Sequence, residues 1–567
     1  MEYMDMYKRW LDFDEETRRE LEGLDEKEIM ERFYKELEFG TGGLRGVIGA
    51  GTNRMNVYTV RKATQGLANF ILKQNIENPS VAIAYDSRKY SDVFAREAAL
   101  VLNASGIKTY VYDELKPTPM LSYAVRHMNT TAGIVITASH NPKEYNGYKV
   151  YWSDGGQVTE ELAEGILNEI KNVDYGDIKT MEYNEAVEKG LFNFMPKEVE
   201  DTYVELVKGL TVNKDIVEKM KDKVKVIYTP LHGTGNKPVR RVLAELGYKN
   251  VYVVKEQENP DPAFSTVKYP NPEESEVFVR AMEMARELDA DVIIGTDPDC
   301  DRVGVVVKNS EGNYVVLTGN QTGALLTHYM LENLKATNTM PKNPVVIKTI
   351  VTTEFAKAIC KDYGVEILDV LTGFKYIGEK IKEFEINGDK SFVLGFEESY
   401  GYLAGTFVRD KDAVIASMLI VEMVAYYKKR GMSLYEGLME LYNRYGFYRE
   451  DLVSITLKGI EGSEKIKKIM EDLRNNPPKK VAGFDVELVK DYKMSVSKNV
   501  VSGEETVINL PKSNVIQLVL EDGSVITARP SGTEPKIKFY FMTKGETLEK
   551  AEENIKRFKE EILKMAE

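Results

Sequence analysis

The chain has only two cysteines, Cys300 and Cys360, in 567 residues. That excludes a disulfide framework and makes a reducing compartment, the cytoplasm, the expected location. No uninterrupted apolar run is long enough to span a bilayer, and the opening MEYMDMYKRW carries no apolar signal core. Positive charge is not in excess either: 76 Lys and Arg stand against 90 Asp and Glu, a net charge of −14. Nucleic acid and anionic membrane therefore meet no basic field, whereas an anionic small molecule needs only local Arg and Lys. Familiar phosphate and nucleophile motifs are missing as well. Residues 40–46, GTGGLRG, place Arg45 where GxGxxG needs its last glycine, and they lack the GK[ST] ending of a P-loop. There is no GxSxG elbow, and adjacent Ser139 and His140 suit a hydrolase triad poorly.

What is present is a soluble globular composition, 43% apolar and 29% charged, in a chain long enough for three to five domains. Residues 1–38 read as helical, over 14–22 and 26–38, with Trp10, Leu11, Phe33 and Leu37 as packing handles. The 40–46 segment reads as a flexible glycine loop presenting Arg45, either an anion clamp or a plain surface loop. A strand, helix, glycine, strand pattern then occurs three times. Its members are 81–85, 93–104, Gly106 and 108–112; 224–228, 239–246, Gly247 and 251–254; 345–348, 354–361, Gly364 and 365–368. Each is a βαβ unit, so three consecutive α/β domains are expected, with ligands at loops beyond the carboxyl ends of strands. From about 451 the pattern changes to a hairpin, 515–520 and 524–528 about Asp522-Gly523, followed by a strand over 537–542. The last helix puts Leu548, Ala551, Ile555, Phe558, Ile562 and Met565 on one face, which reads as packing on its own small sheet.

The polar motifs fall at strand ends. After the β-branched run 133–136 comes TASHNPKEYNGYKV, with Ser139 beside His140 and Lys149 ten residues on. A hydroxyl next to a base and an ammonium suits covalent transfer of an anionic group; taken alone, the segment also reads as a polar turn. Asp297, Asp299 and Asp301 alternate after the strand 291–296. Three bare carboxylates repel one another, and an oxygen-only set suits magnesium rather than zinc; the competing reading is an acidic loop neutralised by Arg302 and Lys308. An EF-hand is excluded, because its sixth position is Arg302 and its twelfth Lys308. Thr372-Gly373-Phe374-Lys375 and GFEESYG, with Glu397 and Ser399, offer the carboxylates and hydroxyls that sugars require, and Arg409-Asp410-Lys411-Asp412 follows. Arg529-Pro530-Ser531-Gly532-Thr533 puts one arginine, two hydroxyls and free backbone amides on a tight loop, a phosphate cradle.

TASHNP with its lysine, DPDCDR, GFEESYG and RPSGTEPK stand in this order across the expected domains. With them the chain resembles the α-D-phosphohexomutases, the phosphoglucomutase and phosphomannomutase superfamily, from about Gly40 to the C-terminus. The resemblance implies three similar α/β domains and a TATA-binding-protein-like α+β domain around a central cleft, over 1–210, 211–323, 324–450 and 451–567. It implies a phosphoserine at Ser139, which joins Asp297, Asp299 and Asp301 on Mg2+. Arg45, His140 and Lys149 are its catalytic partners, and Lys149 or Lys411 is the acid/base. Thr372, Gly373, Lys375, Glu397, Ser399 and Arg302 then bind the sugar side of the substrate, and Arg529, Ser531, Gly532 and Thr533 its idle phosphate. The implied reaction interconverts glucose 1-phosphate and glucose 6-phosphate, with glucose 1,6-bisphosphate as intermediate and activator. Phosphomannomutase or phosphopentomutase activity is the alternative, since Phe374 replaces a histidine of many shorter bacterial members and the length resembles the long branch. A non-catalytic phosphosugar binder would have lost the serine or an Asp, and neither is lost. The expected partner is a small phosphosugar, without nucleic acid or membrane, for a monomer or homodimer.

Overall fold

The computed structural model describes residues 2–40, 42–457, 459–531 and 536–566. Four sheets follow one another along the chain. The first has six strands in the order Gly43–Val47, Tyr145–Trp152, Ala132–Ile136, Ser80–Tyr85, Lys108–Val111 and Phe192–Phe194. Its last four run parallel, and the 81–85 and 108–112 unit forms as expected, with helix Ser91–Ala104 as crossover. The second sheet is built on parallel Lys225–Thr229, Asn250–Val253 and Val292–Thr296, and the third on parallel Pro344–Thr349, Glu366–Val370 and Ser391–Glu397.

One feature recurs in all three and escapes the βαβ pattern. A central parallel strand is followed by a hairpin turn and a strand that returns antiparallel beside it. Tyr145–Trp152 returns along Ala132–Ile136, Val303–Lys308 along Val292–Thr296, and Gly401–Leu403 along Ser391–Glu397. Each turn holds one non-glycine residue in the left-handed region: Ser139 at φ 52°, Cys300 at 53° and Tyr400 at 65°. Such backbone persists only where the surroundings over-determine it. The three turns carry the serine, aspartate and glutamate motifs.

The three domains that carry the turns are tied to one another by hydrogen bonds. Thr118 N–H donates to the Asp299 carbonyl at 2.9 Å, and Val303 N–H to Tyr400 O at 3.1 Å. Arg409 N–H, from the third domain, donates to Ser122 Oγ of the first at 2.9 Å. Behind them runs helix Ala413–Lys429, AVIASMLIVEMVAYYKK, apolar on every side and almost wholly buried. That pattern belongs to a helix inside a large core, and one continuous apolar cluster joins residues from all three α/β domains around it. Among the described residues no helix is long and apolar enough to cross a membrane.

The fourth sheet is antiparallel, with Phe447–Thr456, Lys536–Gly545, Val525–Pro530, Ile516–Leu520 and Phe484–Asp491 side by side. The expected hairpin about Asp522-Gly523 is there, Ile555, Phe558 and Ile562 of the last helix pack on the sheet, and Ala551 is buried. Met565 lies outside the described side chains. This domain meets the third through an apolar seam of Ile350, Val351, Leu371, Tyr492, Val515 and Tyr540, where Gln517 Nε2 also donates to Ile350 O at 2.8 Å.

The N-terminal arm departs from expectation in detail. It forms three helices, Glu2–Trp10, Glu15–Glu22 and Glu26–Phe33, the latter two capped by Asp14 and Asp25. The third stops at Phe33 rather than 38, because the chain then turns so that Leu37 N–H bonds Thr52 O at 2.8 Å. Buried Trp10 anchors the arm among Phe13, Phe33, Tyr58 and Tyr175. The glycine-rich segment is likewise not a free loop. Gly43–Val47 is a strand, and Arg45 pairs opposite Gly147. A Cβ at Gly43 would lie 2.1 Å from Tyr148 O, so this glycine permits close strand approach rather than flexibility.

Candidate active site

The serine turn leaves strand Ala132–Ile136 and is held from both sides. Thr137 Oγ1 accepts the Ser139 N–H at 2.8 Å. Ser139 Oγ then donates to Asp297 Oδ2 at 2.7 Å and stands 3.2 Å from His140 Nδ1. Burial, with Arg302 and Arg45 close by, pushes the His140 imidazole well below its usual range and keeps it neutral. Arg45 Nη1 reaches Asn141 Oδ1 at 3.2 Å across the paired strands.

The second turn presents three buried carboxylates, Asp297, Asp299 and Asp301, whose oxygens lie within 4.8 Å of one another. The Asp301 and Arg302 N–H groups both donate to Asp297 Oδ1, at 3.1 and 3.0 Å, which curls the loop around that oxygen. Burial raises Asp297, and Asp299 and Asp301 add to the shift. Burial opposes charge on Asp299, but the Lys149 ammonium, 2.9 Å from its Oδ2, together with bonds from Asp297 and Thr118, holds this group well below its usual range. Lys411 Nζ lies 3.2 Å from Asp301 Oδ2 and 3.1 Å from Asp410 Oδ1. Asp299 Oδ1 and Asp301 Oδ1 are buried with no hydrogen-bond partner. Unpartnered carboxylate oxygens in an oxygen-only set fit a hard divalent cation.

The third turn places Glu397 almost fully buried, accepting the Gly373 N–H at 3.0 Å. Its neighbour Glu398 takes bonds from Thr349 and Thr352, and burial together with Glu397 pushes it up to about 7. Ser399 is half-buried, and Thr372 Oγ1 is buried without a partner. Lys375 is committed elsewhere: its Nζ pairs with Glu160 Oε1 of the first domain at 2.7 Å, and Tyr376 bonds the same oxygen. Phe374, where the resemblance expects histidine, is buried with Lys411 Nζ 5.5 Å from its ring centre.

A cleft of about 840 Å³ joins the serine and aspartate turns to the fourth sheet; Lys411 of the third domain lines it, whereas Thr372, Gly373, Lys375, Glu397 and Ser399 do not. Arg45, Ser139, Lys149, Asp301, Arg302 and Lys411 line one side, and Arg529, Pro530 and Ser531 of the fourth sheet face them. Gly532 and Thr533 lie outside the described residues. Lys536, the end of RPSGTEPK to which the motif reading gave no role, and Lys538, which it missed, also line the cleft. Burial, then Arg529 and Lys536, draws the Lys538 ammonium below its usual range, and Lys538 pairs opposite Arg529. The available signal was alternation: Lys536, Lys538 and Tyr540 share one strand face. Also missed were Tyr151, whose hydroxyl donates to Asp410 Oδ2 at 2.6 Å behind Lys411, and Arg88 beneath the serine turn.

Family models agree with this layout. Those described as phosphoglucomutase/phosphomannomutase alpha/beta/alpha domains I, II and III match residues 36–177, 201–312 and 318–445. The chain belongs to the phosphoglucomutase/phosphomannomutase family. Curated members similar to it include a phosphoglucomutase of Staphylococcus haemolyticus (strain JCSC1435), 41% identical over 92% of this chain and 93% of that one. Another, from Staphylococcus aureus (strain MSSA476), is 39% identical over 91% of both. Solved members of this family share the fold. A family protein from Burkholderia thailandensis aligns with TM-score 0.67 at 20% identity, covering 93% of this chain and 96% of that one. The open form of pp63/parafusin from Paramecium gives 0.68 at 17%, covering 94% and 96%.

Proposed function

We propose that the chain interconverts glucose 1-phosphate and glucose 6-phosphate through a phosphoserine at Ser139 and a glucose 1,6-bisphosphate intermediate. One observation carries the reading: Ser139 Oγ sits 2.7 Å from Asp297 in a cleft whose facing wall holds Arg529. Asp297, Asp299, Asp301 and the Ser139 phosphate would hold Mg2+, which when bound offsets charge on the transferring phosphoryl group. Phosphorylated Ser139 gives its phosphoryl group to the free sugar hydroxyl and later recovers the other phosphate. Arg45 and neutral His140 flank the oxygen, Arg302 lines the same wall, and Lys149 or Lys411 carries the hydroxyl proton. Arg529 and Ser531, with Lys536 and Lys538, hold the idle phosphate, while Glu397 and Ser399 read ring hydroxyls beside Thr372 and Gly373. The Glu160 pair supports a role for Lys375 in setting the Thr372–Gly373 loop against the first domain.

The same reading divides the chain into an arm with a first domain, then three more. Two expected boundaries, at 323/324 and 450/451, cut helix Gly319–Ala336 and strand Phe447–Thr456. Boundaries near Thr318 and Gly446 keep both elements whole. Two buried, unpaired cysteines support a reducing, cytoplasmic setting. The test is a coupled assay on glucose, mannose and ribose 1-phosphates with intact-mass analysis of Ser139. Glucose 1-phosphate is expected to lead, and Ser139→Ala to abolish turnover even with glucose 1,6-bisphosphate supplied. A preference for ribose 1-phosphate would make the chain a phosphopentomutase instead.

A further inference from the structure

Arg88 does not line the cleft, yet it gathers the serine turn. It is 3% exposed. Nη2 donates to Ser139 O and Asn141 O, both at 2.5 Å, and Nη1 to Pro142 O at 2.8 Å and Tyr145 O at 3.1 Å. Four carbonyls of one seven-residue stretch thus converge on a single planar guanidinium. The arginine is itself fixed. Its Nε stands 3.4 Å from Asp86 Oδ2, and Asp86 Oδ1 accepts the Arg88 N–H at 2.9 Å and Ser91 Oγ at 2.8 Å. Its flat face lies 5.0 Å from the ring centre of Phe264, a residue of the second domain.

This arrangement has a directional effect. No peptide bond among the described residues is cis, so each carbonyl and the next residue's N–H point oppositely across their shared plane. Drawing Ser139 O onto Arg88 therefore turns the His140 N–H away from the guanidinium, and that N–H has no acceptor among the described residues. Ser139 itself holds a left-handed φ of 52° in this turn.

We propose that Arg88 is a positioning residue for phosphoryl transfer: by gathering the carbonyls of the serine turn it aims the His140 N–H at the phosphoryl group carried by Ser139. The inference rests on the reading of Ser139 as the phosphoryl carrier. Lysine cannot replace this arginine, because one ammonium with three donors cannot reach four carbonyls in a plane. Phe264 makes the turn sensitive to the second domain, whose aspartates meet the same serine.

Arg88→Lys, Arg88→Ala and Phe264→Leu in the full chain test it, read by kcat and KM for glucose 1-phosphate and by the rate of Ser139 phosphorylation from glucose 1,6-bisphosphate. A misaimed turn should cost Arg88→Lys about 100-fold in kcat, with KM within about threefold of wild type, since Arg529 still holds the substrate. Ser139 phosphorylation should slow by the same factor. Millimolar guanidinium should restore part of kcat in Arg88→Ala but none in Ser139→Ala. Phe264→Leu keeps every hydrogen bond and should lower kcat by about fivefold at constant KM. The proposal is overturned if Arg88→Lys keeps kcat within threefold of wild type, or if KM rises in step with the loss. It is equally overturned if both Arg88 variants fail to fold and Phe264→Leu turns over like wild type. Absence of phosphate from wild-type Ser139 would instead sink the reading on which the inference rests.

Discussion

Replacing Glu422 by glutamine should reverse the sign of a stability difference between acid and alkaline pH. Glu422 is the only acid inside the apolar helix Ala413–Lys429 and is fully buried. Its Oε1 accepts Asn213 N–H at 2.6 Å and Tyr329 OH at 2.7 Å, and its Oε2 accepts Val212 N–H at 3.3 Å. Burial nonetheless pushes it from an ordinary 4.5 up to about 7. A carboxyl raised on folding binds more protons in the native state than in the unfolded one. Its stabilisation is therefore complete below the unfolded value and is lost as pH rises through the folded one. A shift of that size amounts to roughly 3 kcal/mol between pH 4 and pH 8. Glutamine never ionises and keeps the bonds to Asn213 and Tyr329, but it turns an amide against Val212 N–H, costing about 1 kcal/mol. Glu422→Gln should thus be about 1 kcal/mol less stable than wild type at pH 4 and about 2 kcal/mol more stable at pH 8, with the two proteins crossing between them. Urea unfolding of both proteins at four pH values, followed by fluorescence, reads this directly. A difference that does not change with pH would refute the argument.

Arg529→Ala should raise KM roughly 10- to 100-fold for every phosphosugar alike, since each charge-assisted bond lost is worth about 1.5–3 kcal/mol. Glu397→Gln, in contrast, should lower kcat/KM for glucose 1-phosphate far more than for ribose 1-phosphate, as steady-state kinetics on both sugars will show. Chelation by EDTA should abolish turnover and added magnesium restore it, and each of Asp297→Ala, Asp299→Ala and Asp301→Ala should lose several orders of magnitude in kcat; activity persisting in metal-free protein contradicts the triad. Gly43→Ala, whose Cβ would press on Tyr148 O at 2.1 Å, should move Arg45 and lower kcat about tenfold or more, with melting temperature reporting the strand's loss.

The α/β repeat was legible because short β-branched runs such as 81–84 and 345–347 alternate with amphipathic stretches and glycine stops. Ser139, the aspartate triad and Glu397 could be placed at strand ends for the same reason. The strand at Gly43–Val47 was not legible: GTGGLRG has the composition of a loop, and only the close approach of Tyr148 explains Gly43 within it. Lys375 looked like a cleft residue because the sequence cannot show Glu160, 215 residues away, reaching its ammonium. Arg88 belongs to no motif the sequence shows, because its partners are backbone carbonyls that no motif records. What the sequence hides in each case is an interaction between distant segments.

The ties among the three α/β domains have a geometric consequence for substrate size. Thr118 on Asp299, Val303 on Tyr400 and Arg409 on Ser122 tie the three α/β domains that carry the turns into one rigid jaw. Arg529 belongs to a second jaw, hung on the third domain by the apolar seam of Ile350, Val351, Leu371, Tyr492, Val515 and Tyr540. The gap between the jaws is the length of sugar phosphate the molecule can grip. It follows that a change of sugar length should arise from the side chains filling that seam, far from any atom that touches the sugar, while the chemistry of transfer stays as it is.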